Sequence, residues 1–156
     1  MEGAIGPAST EIIAQQWEEQ WGLPMVTAKR EYLPPDAEGL VWRATDGRIL
    51  GLVTWAVDGA RAEIVSLNAV EPRRGIGTRL MESAEGELRR RGIGTAHLVT
   101  TNDNPRALSF FVRRGYRLVR LHLDAMDRVR QAKPQAPVTG NVGIPLRDMW
   151  ELEREL

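Results

Sequence analysis

The stretch Ala69–Leu80, AVEPRRGIGTRL, places two arginines and two glycines within five residues, directly before an apolar helical pattern. Gly75 and Gly77 let backbone N–H groups converge without interference from a Cβ atom, and a helix N-terminus adds unpaired donors and the positive end of its dipole. Arg73 and Arg74 add positive charge. The stretch predicts an anion site that favours a pyrophosphate over a lone carboxylate, and a tight strand-to-helix corner without a ligand is the alternative.

The composition predicts one globular domain, residues 1–156, long enough to bury a core. Lys+Arg and Asp+Glu both total 21, and the resulting net charge of zero argues against nucleic acid and against an anionic membrane as partners. Cysteine is absent, and His97 and His122 lack ligand spacing, so we expect no metal site and a cytoplasmic protein. No apolar run reaches the ~18 residues that a membrane-spanning helix needs.

Structural signals on both sides of this stretch indicate the fold class. Three strand-like runs precede it, separated by Asp46-Gly47 and Asp58-Gly59, and these dipeptides are typical of tight hairpin turns. An amphipathic helix capped by Thr10 comes before the strands. After the stretch, the pattern predicts a helix, a buried strand with a parallel neighbour, a short helix, a strand, and a tail that is either strand or helix. We expect an α/β (α+β) fold with a mixed, mostly antiparallel sheet of six to seven strands flanked by helices.

Two motifs resemble those of one enzyme superfamily. LNAVEPRRGIGTRLM, residues 67–81, resembles the acyl-CoA-binding motif of the GNAT superfamily of N-acetyltransferases. NPRALSFFVRRGY, residues 104–116, is similar to the second motif of that superfamily. The resemblance covers nearly the whole chain, and it implies a GNAT-like sheet in which two central strands splay apart.

The resemblance also implies an activity and a cofactor. The expected reaction transfers an acetyl group from acetyl-CoA to the primary amine of a small molecule, or to another free amine, by direct attack in a ternary complex. A bulge in the strand AEIVSLNAV would turn the backbone N–H groups around Leu67 to Val70 toward the thioester carbonyl and the pantetheine amides, and donors at the carbonyl stabilise developing negative charge. A homodimer is also implied. The cofactor-binding residues carried over by resemblance are Leu67, Asn68, Ala69, Val70, Arg73, Arg74, Gly75, Ile76, Gly77, Thr78, Thr100, Asn104, Ala107 and Phe111.

The reaction needs a proton acceptor, because an amine with an ordinary pKa of ~10.4 is almost entirely protonated at neutral pH. The resemblance indicates Glu63, in the strand AEIVSLNAV, as a general base that acts through a water or with a pKa raised by burial. Strand alternation predicts that Glu63, Val65 and Leu67 share one face. A solvent-facing glutamate with a cross-strand partner is the alternative.

The proton donor for the departing thiolate is less well defined. Phe111 occupies the position where many family members carry a tyrosine, and phenylalanine cannot donate a proton. Water, Tyr116 and His122 are the alternatives, and Tyr116 is the candidate acid among the site residues. A non-catalytic acyl-CoA binding or sensing module is therefore the second interpretation. We expect the segment 124–146 to help select the acceptor amine.

Overall fold

The computed structural model describes residues 3–71 and 75–156. Within these ranges, no helix is long and apolar enough to cross a bilayer. The strands are β1 (Ala4–Pro7), β2 (Met25–Val26), β3 (Glu31–Tyr32), β4 (Glu38–Arg43), β5 (Ile49–Asp58), β6 (Arg61–Ala69), β7 (Thr95–Thr101), β8 (Arg117–His122) and β9 (Met149–Glu155). The helices are α1 (Thr10–Gln20), α2 (Ile76–Arg90), α3 (Pro105–Arg113) and α4 (Ala125–Ala132), with short 3-10 turns at Pro34–Asp36 and Asn141–Gly143.

Seven strands form one mixed sheet in the order β1-β4-β5-β6-β7-β9-β8. Its neighbouring strands are antiparallel except β6 and β7, which run parallel and are connected by α2. The predicted mixed sheet and the parallel neighbour of the buried strand are confirmed. The tail forms a strand, β9, which inserts between β7 and β8. The sequence pattern did not predict β1, β2 and β3, because two to four residues are too few for a periodicity.

Helix α1 covers one face of the sheet, and its N-cap residue differs from the predicted Thr10. Ser9, and not Thr10, caps the helix, because its hydroxyl accepts a hydrogen bond from the backbone N–H of Ile12 at 3.2 Å. Trp17 of this helix is fully buried, and its Nε1 donates to Ser66 Oγ on β6 at 2.9 Å. This buried hydrogen bond fixes the helix against β6.

Helix α2 covers the opposite face and comes very close to β5. A Cβ atom on Gly51 of β5 would lie 2.8 Å from the carbonyl oxygen of Asn68. It would also lie 2.8 Å from a methyl group of Leu80 and 2.9 Å from one of Ile76, both on α2. The start of α2 can lie here only because residue 51 has no side chain. The predicted apolar stripe of α2 is buried and consists of Leu80, Met81, Ala84 and Leu88.

The segment 124–146 is held to the turn that follows β7. In that turn, Asp103 accepts hydrogen bonds from the backbone N–H and the side-chain amide of Asn141, at 2.9 and 3.0 Å. Asn102 donates to the carbonyl of Pro145 at 2.8 Å. The apolar side of α4 packs into a small core against β2, β7 and β9. The segment therefore covers the sheet on the same face as α1.

We expect Gly51→Ala to lower the free energy of unfolding by about 1–3 kcal/mol, because the added methyl group overlaps a backbone oxygen and two core side chains. Gly6→Ala is the matched control, since a Cβ atom at Gly6 on the edge strand β1 meets nothing within 4 Å. Urea denaturation of the two variants measures the difference. Equal unfolding midpoints would contradict the close approach of α2 to β5.

Candidate active site

Strands β6 and β7 pair only at their first residues. The paired residues are Arg61–Glu63 and Thr95–His97, whereas β6 continues to Ala69 and β7 to Thr101. The two strands therefore separate after the Glu63 and His97 pair, and we call the gap between 64–69 and 98–101 the opening. The predicted splay of two central strands is confirmed.

A bulge in β6 corrects the predicted face pattern. Ile64 pairs with Trp55 and Ser66 pairs with Thr54, so Val65 has no partner across the ladder. The extra residue shifts the alternation, so Val65 packs into the core beneath α1 while Leu67 packs against the core beneath α2. Glu63, Val65 and Leu67 do not share one face, and the bulge lies two residues earlier than the predicted stretch Leu67–Val70.

The backbone of β6 after the bulge presents donors to the opening. The N–H of Val70 donates to the carbonyl of Leu50 at 2.9 Å, so the prediction that Val70 presents a free donor is wrong. Because antiparallel ladders alternate, the N–H of Asn68 also faces β5, whereas the N–H groups of Leu67 and Ala69 face the opening. Two of the four predicted residues therefore supply backbone donors there.

Of the predicted anion stretch, Ala69–Leu80, the structure describes 69–71 and 75–80, and the predicted residues Arg73 and Arg74 lie outside the described residues. Gly75 caps α2 with a φ of 75°, a left-handed conformation that favours glycine. The N–H groups of Ile76, Gly77 and Thr78 belong to the first helical turn and have no acceptor within the helix. The side chain of Ile76 is fully buried, so only its backbone is free to meet a ligand.

Phe110 is an aromatic residue beside this turn that the sequence analysis missed. A Cβ atom on Gly77 would lie 3.5 Å from the Phe110 ring and 3.7 Å from Leu67. Gly77, Leu67 and Phe110 therefore meet where the opening reaches the start of α2. A side chain larger than glycine at position 77 would extend into this space.

The second motif contributes more to structure than the resemblance implied. Asn104 caps α3 by accepting a hydrogen bond from the N–H of Ala107 at 3.1 Å. Phe111 is only 7% exposed and contacts Phe110 and Tyr116 edge to face, with ring centroids 5.0 and 5.5 Å apart. The ring of Phe111 therefore belongs to the core beneath α2.

The structure corrects the assignment of Tyr116 as the acid. Its hydroxyl donates to Glu85 Oε2 of α2 at 2.7 Å and is buried with it. Burial and the neighbouring carboxylate of Glu85 raise the pKa of Tyr116 well above its ordinary value, so it is a weaker acid than a free tyrosine. The hydroxyl proton of Tyr116 is therefore held in a hydrogen bond within the core.

Glu63 is buried at the point where the opening begins. Only 2% of the residue is exposed, so the alternative of a solvent-facing glutamate is wrong. Its Oε1 accepts hydrogen bonds from the hydroxyls of Tyr32 at 2.6 Å and Thr27 at 3.2 Å, and its Oε2 has no partner within 3–71 and 75–156. Burial raises the pKa of Glu63, and the hydrogen bonds from Tyr32 and Thr27 partly oppose that rise.

His97, the residue paired with Glu63 across the strands, is also buried. Burial lowers its pKa to about 4, and the positive charges of Lys29 and Arg61 contribute, so His97 is neutral at neutral pH. The next carboxylate on this face is Glu151 of β9, which contacts Lys29 Nζ at 3.1 Å and His122 Nε2 at 2.7 Å. Burial favours a higher pKa for Glu151, but these two partners outweigh it and hold the pKa below its ordinary value.

Four buried polar atoms on β6 and β7 have no hydrogen-bond partner among the residues that the structure describes. Folded proteins rarely leave such atoms unpaired, so they indicate a polar ligand or water in the opening. Sequence analysis singled out Glu63, Asn68 and Thr100, but missed His97 as a site residue because its neighbour across the strands is 34 residues away. The unpaired atoms are Glu63 Oε2, Asn68 Oδ1, His97 Nδ1 and Thr100 Oγ1.

Residues 7–116 match the Acetyltransferase (GNAT) family. The chain belongs to this family. Two relatives of this GNAT protein come from Bacillus subtilis (strain 168). The uncharacterized protein YxbD is 38% identical over 147 residues, which cover 94% of this chain and 92% of the relative. The uncharacterized protein YdhI is 31% identical over 131 residues, with 83% and 82% covered.

Solved structures share the fold of this GNAT protein across its whole length. An IAA acetyltransferase from Bacillus cereus ATCC 14579 has a TM-score of 0.80 at 19% identity, covering 99% of this chain and 100% of the other. A Bacillus subtilis acetyltransferase in complex with CoA has a TM-score of 0.74 at 18% identity, with 99% of both chains covered. A GNAT acetyltransferase from Elizabethkingia anophelis with acetyl-CoA bound has a TM-score of 0.75 at 15% identity, with 99% of both covered.

We expect Glu63→Gln to keep or raise the stability at neutral pH. A raised pKa means that the folded protein favours the protonated carboxyl, so stability is lost as the pH rises above the ordinary glutamate pKa of ~4.3. Glutamine does not ionise, so this loss of stability disappears, and its side-chain oxygen can still accept the hydrogen bond from the Tyr32 hydroxyl. Urea unfolding at neutral pH measures the gain, which should vanish below pH ~4. Glu19→Gln, on the exposed side of α1, should change stability by less than about 0.5 kcal/mol; a large loss in Glu63→Gln alone would contradict the burial argument.

Proposed function

We propose that this GNAT protein transfers an acetyl group from acetyl-CoA to a primary amine of a small molecule, with Glu63 as the general base. The observation that carries the proposal is the unpaired, buried Oε2 of Glu63 at the start of the opening. The N–H groups of Leu67 and Ala69 face the same opening from the same strand. A proton acceptor and carbonyl-binding donors therefore lie together on β6.

The residues that line the opening fit acetyl-CoA. The N–H groups at the start of α2, which have no acceptor within the helix, suit a pyrophosphate. Gly77 leaves room beside Phe110 and Leu67 for the pantetheine chain of the cofactor. The N–H groups of Leu67 and Ala69 suit the amides and the thioester carbonyl. When bound, acetyl-CoA supplies an activated acetyl group. Family structures crystallised with CoA or acetyl-CoA support this assignment.

Glu63 is suited to remove a proton from an ammonium group. A carboxylate whose pKa is raised by burial is a stronger base than an exposed one, and its unpaired Oε2 is free to accept a proton directly or through a water. His97 is neutral beside it and therefore adds no positive charge that would repel the ammonium. Burial therefore makes Glu63 a stronger base, and it also keeps His97 uncharged, so that no positive charge on His97 opposes the approach of an ammonium group.

The thiolate leaves without a protein acid in this proposal. Phe111 has no hydroxyl, and the hydroxyl of Tyr116 is committed to Glu85. A thiol with a pKa of ~8.5 is a tolerable leaving group near neutral pH, so solvent can supply the proton. The lack of a hydroxyl on Phe111 also favours the second candidate function, a non-catalytic acyl-CoA sensor. The unpaired Oε2 of Glu63 favours the enzyme.

The acceptor side favours a small molecule. Thr27 binds Glu63 directly from the loop between β2 and β3, and α4 packs against β2 on the same face. An amine that approaches Glu63 from this face meets these elements. A free small molecule passes them more easily than a side chain on a folded protein.

Acetyl-CoA is expected to stabilise the protein by about 2.7 kcal/mol at about a hundredfold its dissociation constant. Gly77→Glu should abolish that stabilisation, because it fills the space beside Phe110 and adds negative charge. Gly86→Glu adds the same charge to the same helix about two and a half turns away and should keep the stabilisation. Thermal melting with and without acetyl-CoA decides the matter, and an equal shift in both variants would contradict the proposed anion site.

The acid limb of kcat/KM should lie above the ordinary glutamate pKa, and Tyr32→Phe should move it to higher pH. The hydroxyl of Tyr32 lowers the pKa of Glu63 by binding its carboxylate, so its removal raises that pKa further. Thiol release with an amine found by screening a panel gives the profile. Tyr116→Phe is the matched control, because it also removes a buried tyrosine hydroxyl that donates to a glutamate, in this case Glu85. It should leave the pH of the acid limb unchanged. An unshifted limb in Tyr32→Phe would exclude Glu63 as the titrating base.

A further inference from the structure

Lys29 is a primary amine that the protein itself places beside the opening. The chain has two lysines, Lys29 and Lys133, against nineteen arginines. Lys29 lies between β2 and β3, and its Nζ contacts Glu151 Oε2 at 3.1 Å while 35% of its side chain stays exposed. Glu151 lies opposite Val99 of β7, one of the strand residues that border the opening. The Lys29 ammonium therefore lies over the strands that separate to form the candidate active site.

The loop that carries Lys29 is hydrogen-bonded to Glu63. Thr27 Oγ1 donates to Glu63 Oε1 at 3.2 Å and accepts from the backbone N–H of Lys29 at 3.2 Å and of Arg30 at 3.3 Å. Burial dominates the pKa of Glu63 and of His97, and in both cases the positive charge of Lys29 also contributes. The amine, the base and the buried histidine thus share one electrostatic environment.

We propose that Lys29 is a self-acetylation site, whose Nζ takes an acetyl group from acetyl-CoA bound in the same molecule. The inference rests on the proposed function. Four methylene groups let the side chain turn away from Glu151, and the loop that carries it already contacts Glu63 through Thr27. The Lys29 end of this ion pair is 35% exposed, and the buried Glu151 keeps His122 as a partner when Lys29 turns away.

The step balances without any further reactant. The ammonium of Lys29 gives one proton to Oε2 of Glu63, and the neutral Nζ forms a bond to the carbonyl carbon of the acetyl thioester. The carbon–sulfur bond breaks, and the departing thiolate takes the second proton from nitrogen. The products are an acetyl-lysine amide, free CoA thiol and a proton that Glu63 returns to solvent.

Lys133 serves as an internal control. Its Nζ donates to the carbonyl of Trp21 at 3.2 Å, at the end of α1, and only 8% of the residue is exposed. Burial lowers the pKa of Lys133, which by itself makes the neutral amine of Lys133 more available to an acyl donor. Preferential modification of Lys29 therefore reports position and not basicity.

The test incubates purified protein with acetyl-CoA and follows intact mass and a peptide map over time. We expect the mass to rise by one acetyl group, on Lys29, and the rate constant to stay unchanged on dilution of the protein. Lys29→Arg keeps a cation for Glu151 and should stay unmodified, whereas Lys133→Arg should be modified like the parent. Glu63→Gln should slow the reaction by about 100-fold or more.

Three results would overturn the proposal: no acetyl group on Lys29, equal modification of Lys29 and Lys133, or a rate constant that falls with dilution. Reductive methylation without acetyl-CoA gives a separate readout, and it should label Lys29 before Lys133 if the exposed fraction decides access. The melting shift with acetyl-CoA and thiol release with the amine panel, both measured on Lys29→Arg, separate the two claims. If both persist while the parent stays unmodified at Lys29, self-acetylation fails and the proposed function stands.

Discussion

The whole site depends on the loss of pairing between β6 and β7 after Glu63 and His97. Two parallel strands in the middle of a sheet normally satisfy each other's backbone groups, and leaving such groups unpaired in the interior costs free energy. The bulge at Val65 lies two residues beyond the last pair, and after it β6 stays paired with β5 but not with β7. The sheet therefore loses the hydrogen bonds between β6 and β7 beyond this point, and backbone groups that they would have paired can bind a ligand.

Two buried carboxylates on one face have opposite chemical properties because their partners differ. Glu63 has neutral hydroxyl donors and one free oxygen, so burial prevails and raises its pKa. Glu151 has Lys29 and His122, so it stays ionised at lower pH than an ordinary glutamate. The first is suited to exchange protons and the second to hold positive charge. The division of roles comes from the partners, since the residue type is the same.

Local sequence signals predicted the elements that depend on neighbours in the chain. The Asp46-Gly47 and Asp58-Gly59 turns, the buried stripe of α2 and the Asn104 cap are all present. The bulge at Val65 left no mark in the sequence, because a shift of register depends on how two strands pack and not on which residues they contain. Tyr116 was assigned to the site wrongly for a similar reason: whether its hydroxyl faces the opening or the core depends on Glu85, 31 residues away.

Glu85 also explains how an opening of this kind can exist in a stable sheet. Its Oε1 binds Arg114 and Arg154 at 2.8 and 3.0 Å, and its Oε2 binds Tyr116, which ties α2 to the end of α3 and to β9. Removal of any one partner would leave a buried charge short of donors, so the cluster strongly disfavours other arrangements of these elements. The middle of α2 is fixed by ion pairs, while the N–H groups of its first turn have no acceptor within the helix. A rigidly held helix can present unpaired donors at one end because the energy that orders it comes from the other contacts along its length.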